Sequence, residues 1–138
     1  MRITVSLLDR ILAHAAVAYP AECCGLLLGQ GDRVQSVAAA RNLYAGARCD
    51  RFEIDPLDHV RIWEEARASG HSVIGCYHSH PDGQAYPSSI DRQLARRFGG
   101  PFGYLIVGIQ RGGDCEVYAG LIGDDGCISP VTLELESM

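Results

Sequence analysis

The chain has no lysine; all 12 of its basic residues are arginines. Chemistry that runs through a lysine Schiff base is therefore excluded. None of the six cysteines stands in a Cys-x-x-Cys pair, so neither a thioredoxin-like redox couple nor a zinc knuckle is suggested. There is no His-Glu-x-x-His, which removes the helical zincin arrangement. The Pro-Cys-x-x-Cys and His-x-Glu elements of zinc nucleobase deaminases are missing too. No apolar run is long enough to span a bilayer, and the opening MRITVSLLDR lacks the apolar segment of a secretion signal. A cytoplasmic location and mostly reduced cysteines are the expectation. With a formal net charge of −5, a nucleic-acid-binding surface is not expected.

What is present fits one domain over residues 1–138, of a length that buries roughly two-thirds of its unfolded surface. Leu7 to Val17 has the spacing of an amphipathic helix, with Leu8, Ile11, Leu12 and Ala15 on one side. Short strands are expected near Cys24–Leu28 and Val34–Ala40. Asp55-Pro56 caps and opens a second helix that runs to Ser69 and stops at Gly70. Its core face is expected to be Leu57, Val60, Trp63 and Ala66. Further strands are read at Ser72–Tyr77, Tyr104–Ile109, Glu116–Ile122 and Val131–Leu135. Strands mixed with helices predict an α/β sandwich around one mixed sheet. There are no repeats and no linker.

The densest chemistry lies in HSHPDGQAYPSSID, His78 to Asp91. Side chains alternate along a strand, so His78 and His80 share one side and Ser79 takes the other. Pro81 cannot donate to a ladder and ends the strand. Ser88 to Arg97 then starts like a helix with Ser88 or Ser89 as cap, which places Asp91 in the first turn. Two imidazoles and one carboxylate make three bonds to zinc and leave a fourth position for water, the ligand count of a hydrolytic site. The same donors also suit ferrous iron. Each part has a plainer reading: Ser-x-x-Asp is a common helix cap, and Ser6-Leu7-Leu8-Asp9 has the same form with no ligand nearby. Arg92, Arg96 and Arg97 read as a solvated helix face. His14, His59 and His71 carry no functional claim.

A hydrolytic metal site needs a base for its water. Glu22 stands directly before the apolar CCGLLLG run, at the mouth of an expected core strand. Taken alone it is also an ordinary loop carboxylate. Cys23 and Cys24 are adjacent and face opposite sides of that strand, which speaks against a mutual disulfide. Cys76 shares the face of His78 and reads as a small buried hydrophobe.

Glu22, then His78-x-His80-Pro81, six residues, Ser88, two residues and Asp91 resemble the JAMM motif of MPN-domain metalloproteases without a departure in spacing. The likeness runs from about Ala21 to Ile109 and includes CCGLLLG, RFEIDP at Arg51–Pro56 and the Gly103–Ile109 segment. The resemblance implies a single MPN (cytidine-deaminase-like) domain with a central mixed sheet flanked by helices. It also implies Zn2+ held by His78, His80 and Asp91, Glu22 as general acid/base, and Ser88 as a hydrogen-bond donor near the developing oxyanion. The wording around Tyr77–Asp82 and Ala85–Ser88 is similar to that of compact bacterial sulfur-carrier–cysteine hydrolases. The implied substrate is then a ubiquitin-like sulfur carrier protein of the ThiS/MoaD type, cut after its terminal Gly-Gly. A broader isopeptidase acting on lysine conjugates, a RadC-type protein and a non-catalytic MPN scaffold remain as alternatives.

Overall fold

The computed structural model describes residues 1–44, 52–97 and 100–138; Arg51 and the sixth cysteine, Cys49, lie outside the described residues. The elements run β1 (Arg2–Thr4), α1 (Val5–Ala18), β2 (Cys24–Gln30), β3 (Arg33–Ala40), α2 (Pro56–Ala68), β4 (Ser72–Pro81), α3 (Ser89–Ala95), β5 (Phe102–Ile109), β6 (Cys115–Ile122), β7 (Ile128–Pro130) and β8 (Glu134–Glu136). The strands form one mixed sheet in the order β7-β6-β5-β4-β2-β3-β1-β8. Strand β4 is its centre, antiparallel to β2 and parallel to β5, with α3 in the crossover between the parallel pair.

Alternation along the central strands sends apolar residues to both faces, so the sheet needs cover on each side. On one face Cys23, Leu27, Tyr77, Leu105 and Val107 pack against Leu8, Ile11 and Ala15 of α1. On the other, Cys24, Leu26, Cys76, Tyr104 and Ile106 pack with Ile62 and Ala66 of α2 and Ala95 of α3. Cys23 and Cys24 thus belong to opposite faces, as expected, and the five described cysteines are free thiols. The mixed α/β architecture is the expected one.

Three expectations need correction. On α2, Leu57, Val60 and Trp63 are exposed (81%, 57% and 48%), while Ile62 joins Ala66 in the core. The helix meets the sheet along a narrow stripe, and spacing alone chose its wrong edge. The strand expected over 131–135 forms only at its end: β7 stops at Pro130, and β8 covers Glu134–Glu136. Strand β1 was not expected; three residues are too few to show a period. By contrast the caps follow the sequence. Asp55 accepts from Leu57 N–H with Pro56 behind it, and Gly70 takes the positive φ of 75° that closes a helix end. Helix α1 is capped by Thr4, two residues before the position that Ser6-x-x-Asp9 suggests.

Candidate active site

Strand β4 carries its pairing through His78, Ser79 and His80, in register with Ile106, Val107 and Gly108 of β5. On the other edge Cys24 pairs with His78, so Glu22, just before β2, lies beside the same end of β4. Ser79 points away from the histidines and is fully buried. Its hydroxyl accepts from Cys23 N–H at 2.9 Å and its own N–H donates to Cys23 O at 3.2 Å. This pair ties the residue after Glu22 to the residue between the two histidines.

Beyond Pro81 the loop doubles back and is pinned from both sides. Tyr19 Oη donates to Asp82 Oδ2 at 2.6 Å, Arg111 N–H to Asp82 Oδ1 at 3.0 Å, and Gln110 Nε2 to Gly83 O at 3.0 Å. Gly108 makes room for it, since a Cβ there would stand 2.8 Å from Ala85 N and Gly83 O. The chain then enters α3 through a full capping box. Asp91 N–H donates to Ser88 Oγ at 3.0 Å and Ser88 N–H to Asp91 Oδ2 at 2.9 Å. The cap and the ligand readings of Ser-x-x-Asp therefore describe one arrangement, in which the cap aims the carboxylate at the strand end.

There the residues singled out in the sequence converge. His78 Nε2 and His80 Nε2 are 3.0 Å apart; Asp91 Oδ1 lies 3.2 Å from the first and Oδ2 3.0 Å from the second. Glu22, 3% exposed, joins from the β2 side: its carboxylate and the two imidazoles offer ligand atoms within 4.8 Å of one another. His80 Nδ1 is 2.8 Å from Gln84 O, and a carbonyl only accepts, so Nδ1 carries the proton. In neutral His80 a nitrogen lone pair then faces the oxygens of Asp91, and only a proton or a cation relieves that contact. The 3.0–3.2 Å separations are close to the roughly 3.3 Å between two donors on a tetrahedral zinc with bonds of about 2.0–2.1 Å. By donor type and spacing the set fits Zn2+.

Burial dominates the electrostatics. It penalises ionisation of Asp91, but the hydrogen bonds of His78 and His80, with the Ser88 N–H, outweigh it and hold the carboxyl far below its usual range. His78, fully enclosed, is pushed down by burial against the pull of Asp91. His80 is opposed by burial too, but the Asp91 and Gln84 hydrogen bonds prevail and raise it. Burial also lifts the Cys23 and Cys24 thiols to about 11 and about 12, and Cys76 further still, which removes them as nucleophiles near pH 7.

Sequence patterning missed the walls of the site. Phe52 stacks on His78 with ring centroids 4.3 Å apart at 22°, and Tyr104 meets the same ring edge-on at 5.3 Å. Its hydroxyl and His78 Nδ1 are both buried, and among the described residues neither closes a well-formed hydrogen bond. The His78 ring is thus held by stacking instead of the usual bond at its second nitrogen. Nothing in hydrophobic periodicity separates these aromatics from ordinary core. Of the three arginines, Arg92 lies over the Tyr86 ring at 5.4 Å, and Arg96 and Arg97 are exposed.

Residues 4–118 match the family model of prokaryotic homologues of the JAB domain. The desampylase of Haloferax volcanii is 40% identical over 94 residues, 63% of this chain and 66% of that protein. The CysO-cysteine peptidase of Mycobacterium tuberculosis is 30% identical over 95 residues, 67% of this chain and 64% of that one. The chain thus spans just under two-thirds of the length of these curated relatives. A solution structure of protein DSY2949 from Desulfitobacterium hafniense superimposes with a TM-score of 0.85 at 30% identity, covering 99% of this chain and 93% of that one. A structure described as a metalloprotease-like zinc site in the proteasome and signalosome gives 0.55 at 25%, covering 99% and 97%. With its fold, its His–His–Asp–Glu cluster and the match over residues 4–118, the chain belongs to the prokaryotic JAB family, the compact branch of the JAMM/MPN metallopeptidases.

Proposed function

We propose that this protein is a zinc-dependent peptidase that hydrolyses the amide bond after the C-terminal Gly-Gly of a ubiquitin-like sulfur carrier protein. The observation that carries this reading is the convergence of Glu22, His78, His80 and Asp91 beside the Ser88 cap. His78, His80 and Asp91 would hold the ion, which supplies Lewis acidity that acidifies water and polarises a carbonyl. Glu22 reaches the same point from the other strand, as a base that takes the proton of the attacking water must, and it returns that proton to the leaving amine. Ser88 Oγ spends a lone pair on Asp91 N–H, so its own hydrogen is free to donate to the carbonyl oxygen as charge develops there. The chain has no lysine, and burial keeps the Cys23, Cys24 and Cys76 thiols from ionising, so none of these competes as a nucleophile and the reaction proceeds without an acyl-enzyme.

The relative that acts on a CysO-cysteine adduct supports a carrier protein of the ThiS/MoaD type, releasing cysteine or a C-terminal extension. Small glycines would thread to the cleft, held extended beside a sheet edge. A second reading is favoured by the identity to the desampylase: an isopeptidase that removes ubiquitin-like modifiers from lysines with the same residues. Presence of all five motif positions argues against a non-catalytic scaffold. No described helix is long and apolar enough to cross a membrane, and a cytoplasmic setting suits the free thiols.

The test is to incubate the zinc-loaded protein with a ThiS/MoaD-like carrier bearing a residue after Gly-Gly, and with a lysine-linked conjugate, and to weigh the products. Loss of the post-diglycine mass, abolished by a chelator and by Glu22→Gln, is the expected result. Faster cleavage of the lysine conjugate would move the assignment to the second reading, and cleavage that survives chelation would overturn both.

A further inference from the structure

Glu22 stands just before β2 begins. General-base geometry tolerates little drift: a misplacement near 1 Å can cost about 10²-fold in rate. A buried side chain holds its backbone from the side. Asn42, 6% exposed and just past the end of β3, donates from Nδ2 to the Glu22 carbonyl oxygen at 3.0 Å. Its Oδ1 accepts two backbone N–H groups, Tyr44 and Glu53, each at 3.0 Å. Its backbone pairs with Ile54 in an isolated antiparallel bridge, flanked by Leu43 N–H to Glu53 O at 2.9 Å and Asp55 N–H to Arg41 O at 2.8 Å. The residue before Glu53 is Phe52, whose ring lies on His78.

We infer that Asn42 is the positioning residue of this centre: one carboxamide sets the Glu22 backbone and the segment carrying Phe52 relative to each other. The base and the aromatic wall against His78 are then placed together. The hydrogen-bond inventory makes the choice of residue specific. Two N–H donors require an oxygen at one end of the side chain, and a carbonyl requires an N–H at the other. Aspartate meets the first demand and fails the second, presenting an oxygen to the Glu22 carbonyl; alanine fails both. This inference rests on the proposed role of Glu22 as base, and its test separates the two.

Asn42→Asp, nearly isosteric, and Asn42→Ala are made alone and combined with Glu22→Gln. With the diglycine-extended carrier, each single variant is expected to lose about 10- to 100-fold in kcat while KM stays within about twofold. Zinc content should remain that of the parent protein, since His78, His80 and Asp91 are untouched. In the Glu22→Gln background the Asn42 change should cost less than about twofold more, as expected when one residue acts through another. Crystal structures of the two single variants should show the Glu22 carboxylate displaced by about 1 Å or more from the imidazoles. Losses that multiply with Glu22→Gln, or a Glu22 that has not moved in either variant, would overturn the inference. If the parent protein cleaves no carrier, the peptidase reading falls, and the position of Glu22 in the variants still decides the role of Asn42.

Discussion

Asp91 Oδ2 accepts from Ser88 N–H at 2.9 Å and sits 3.0 Å from His80 Nε2, so one carboxylate oxygen serves a helix cap and the proposed metal-ligand cluster at once. The serine hydroxyl makes the other half of the box, accepting from Asp91 N–H at 3.0 Å, so its removal loosens the turn that aims the carboxylate while leaving the backbone bond in place. Ser88→Ala is expected to destabilise the fold by about 1 kcal/mol through the lost cap. Cleavage should fall further, by about 10²- to 10³-fold, through loss of the donor to the developing oxyanion. Ser88→Thr keeps both functions and should recover most of each. Thermal unfolding and steady-state kinetics on the three proteins check this.

Zinc binding should weaken on acidification, and the sign follows from His80. Its folded pKa is raised, so stability from the protonated His80–Asp91 pair is fully present below the ordinary histidine value of about 6.5 and is lost as pH rises through the folded value. A proton on His80 competes with the ion, so apparent zinc affinity should climb as pH rises through the region above that value. The depressed Asp91 stays ionised throughout and adds no slope there. Competition with a chelator between about pH 6 and 8.5 reads the slope; a flat profile would contradict the coupling of His80 to Asp91.

Tyr104 offers a cleaner case. Burial first, then the charges of Cys76 and Asp91 and a weak hydrogen bond toward Asp91, push its phenol far up, while among the described residues the hydroxyl closes no well-formed hydrogen bond. Tyr104→Phe removes only that oxygen. Unfolding free energy should stay level or rise by about 1 kcal/mol, because a buried unsatisfied polar group is costly. A loss of more than about 1 kcal/mol in denaturant unfolding would show that the hydroxyl is bonded after all.

On α2 the exposed edge can be told from the buried one by substitution. Ile62→Ala should cost about 2–5 kcal/mol as a cavity in the core, whereas Leu57→Ala and Val60→Ala should change stability by less than about 0.5 kcal/mol. Urea unfolding of the three variants decides it, and equal costs would restore the face that spacing alone suggests.

These residues mark where the sequence was legible. The motif from His78 to Asp91 could be placed because each part has a local cause: alternation aims the histidines, proline ends the strand and a serine caps the helix. The α2 face could not, because hydrophobic spacing says which residues share a side and not which side the sheet will take. Phe52, Asn42 and Tyr104 meet the site only through pairings between strands far apart in the chain, and no local pattern carries that information. The short β1, β7 and β8 owe their state to neighbours in the sheet and not to their own period.

The bond between Cys23 and Ser79 joins residues 56 apart in sequence across a single rung of the sheet. Everything between them is an excursion that leaves the rung and returns to it, closed near its middle by the Asn42–Ile54 bridge. The chain between them runs through β2, β3, α2 and β4, yet the two clasps bring its far-apart ends within hydrogen-bond reach, so the geometry around Glu22 and His78 is set by contacts a few ångströms long.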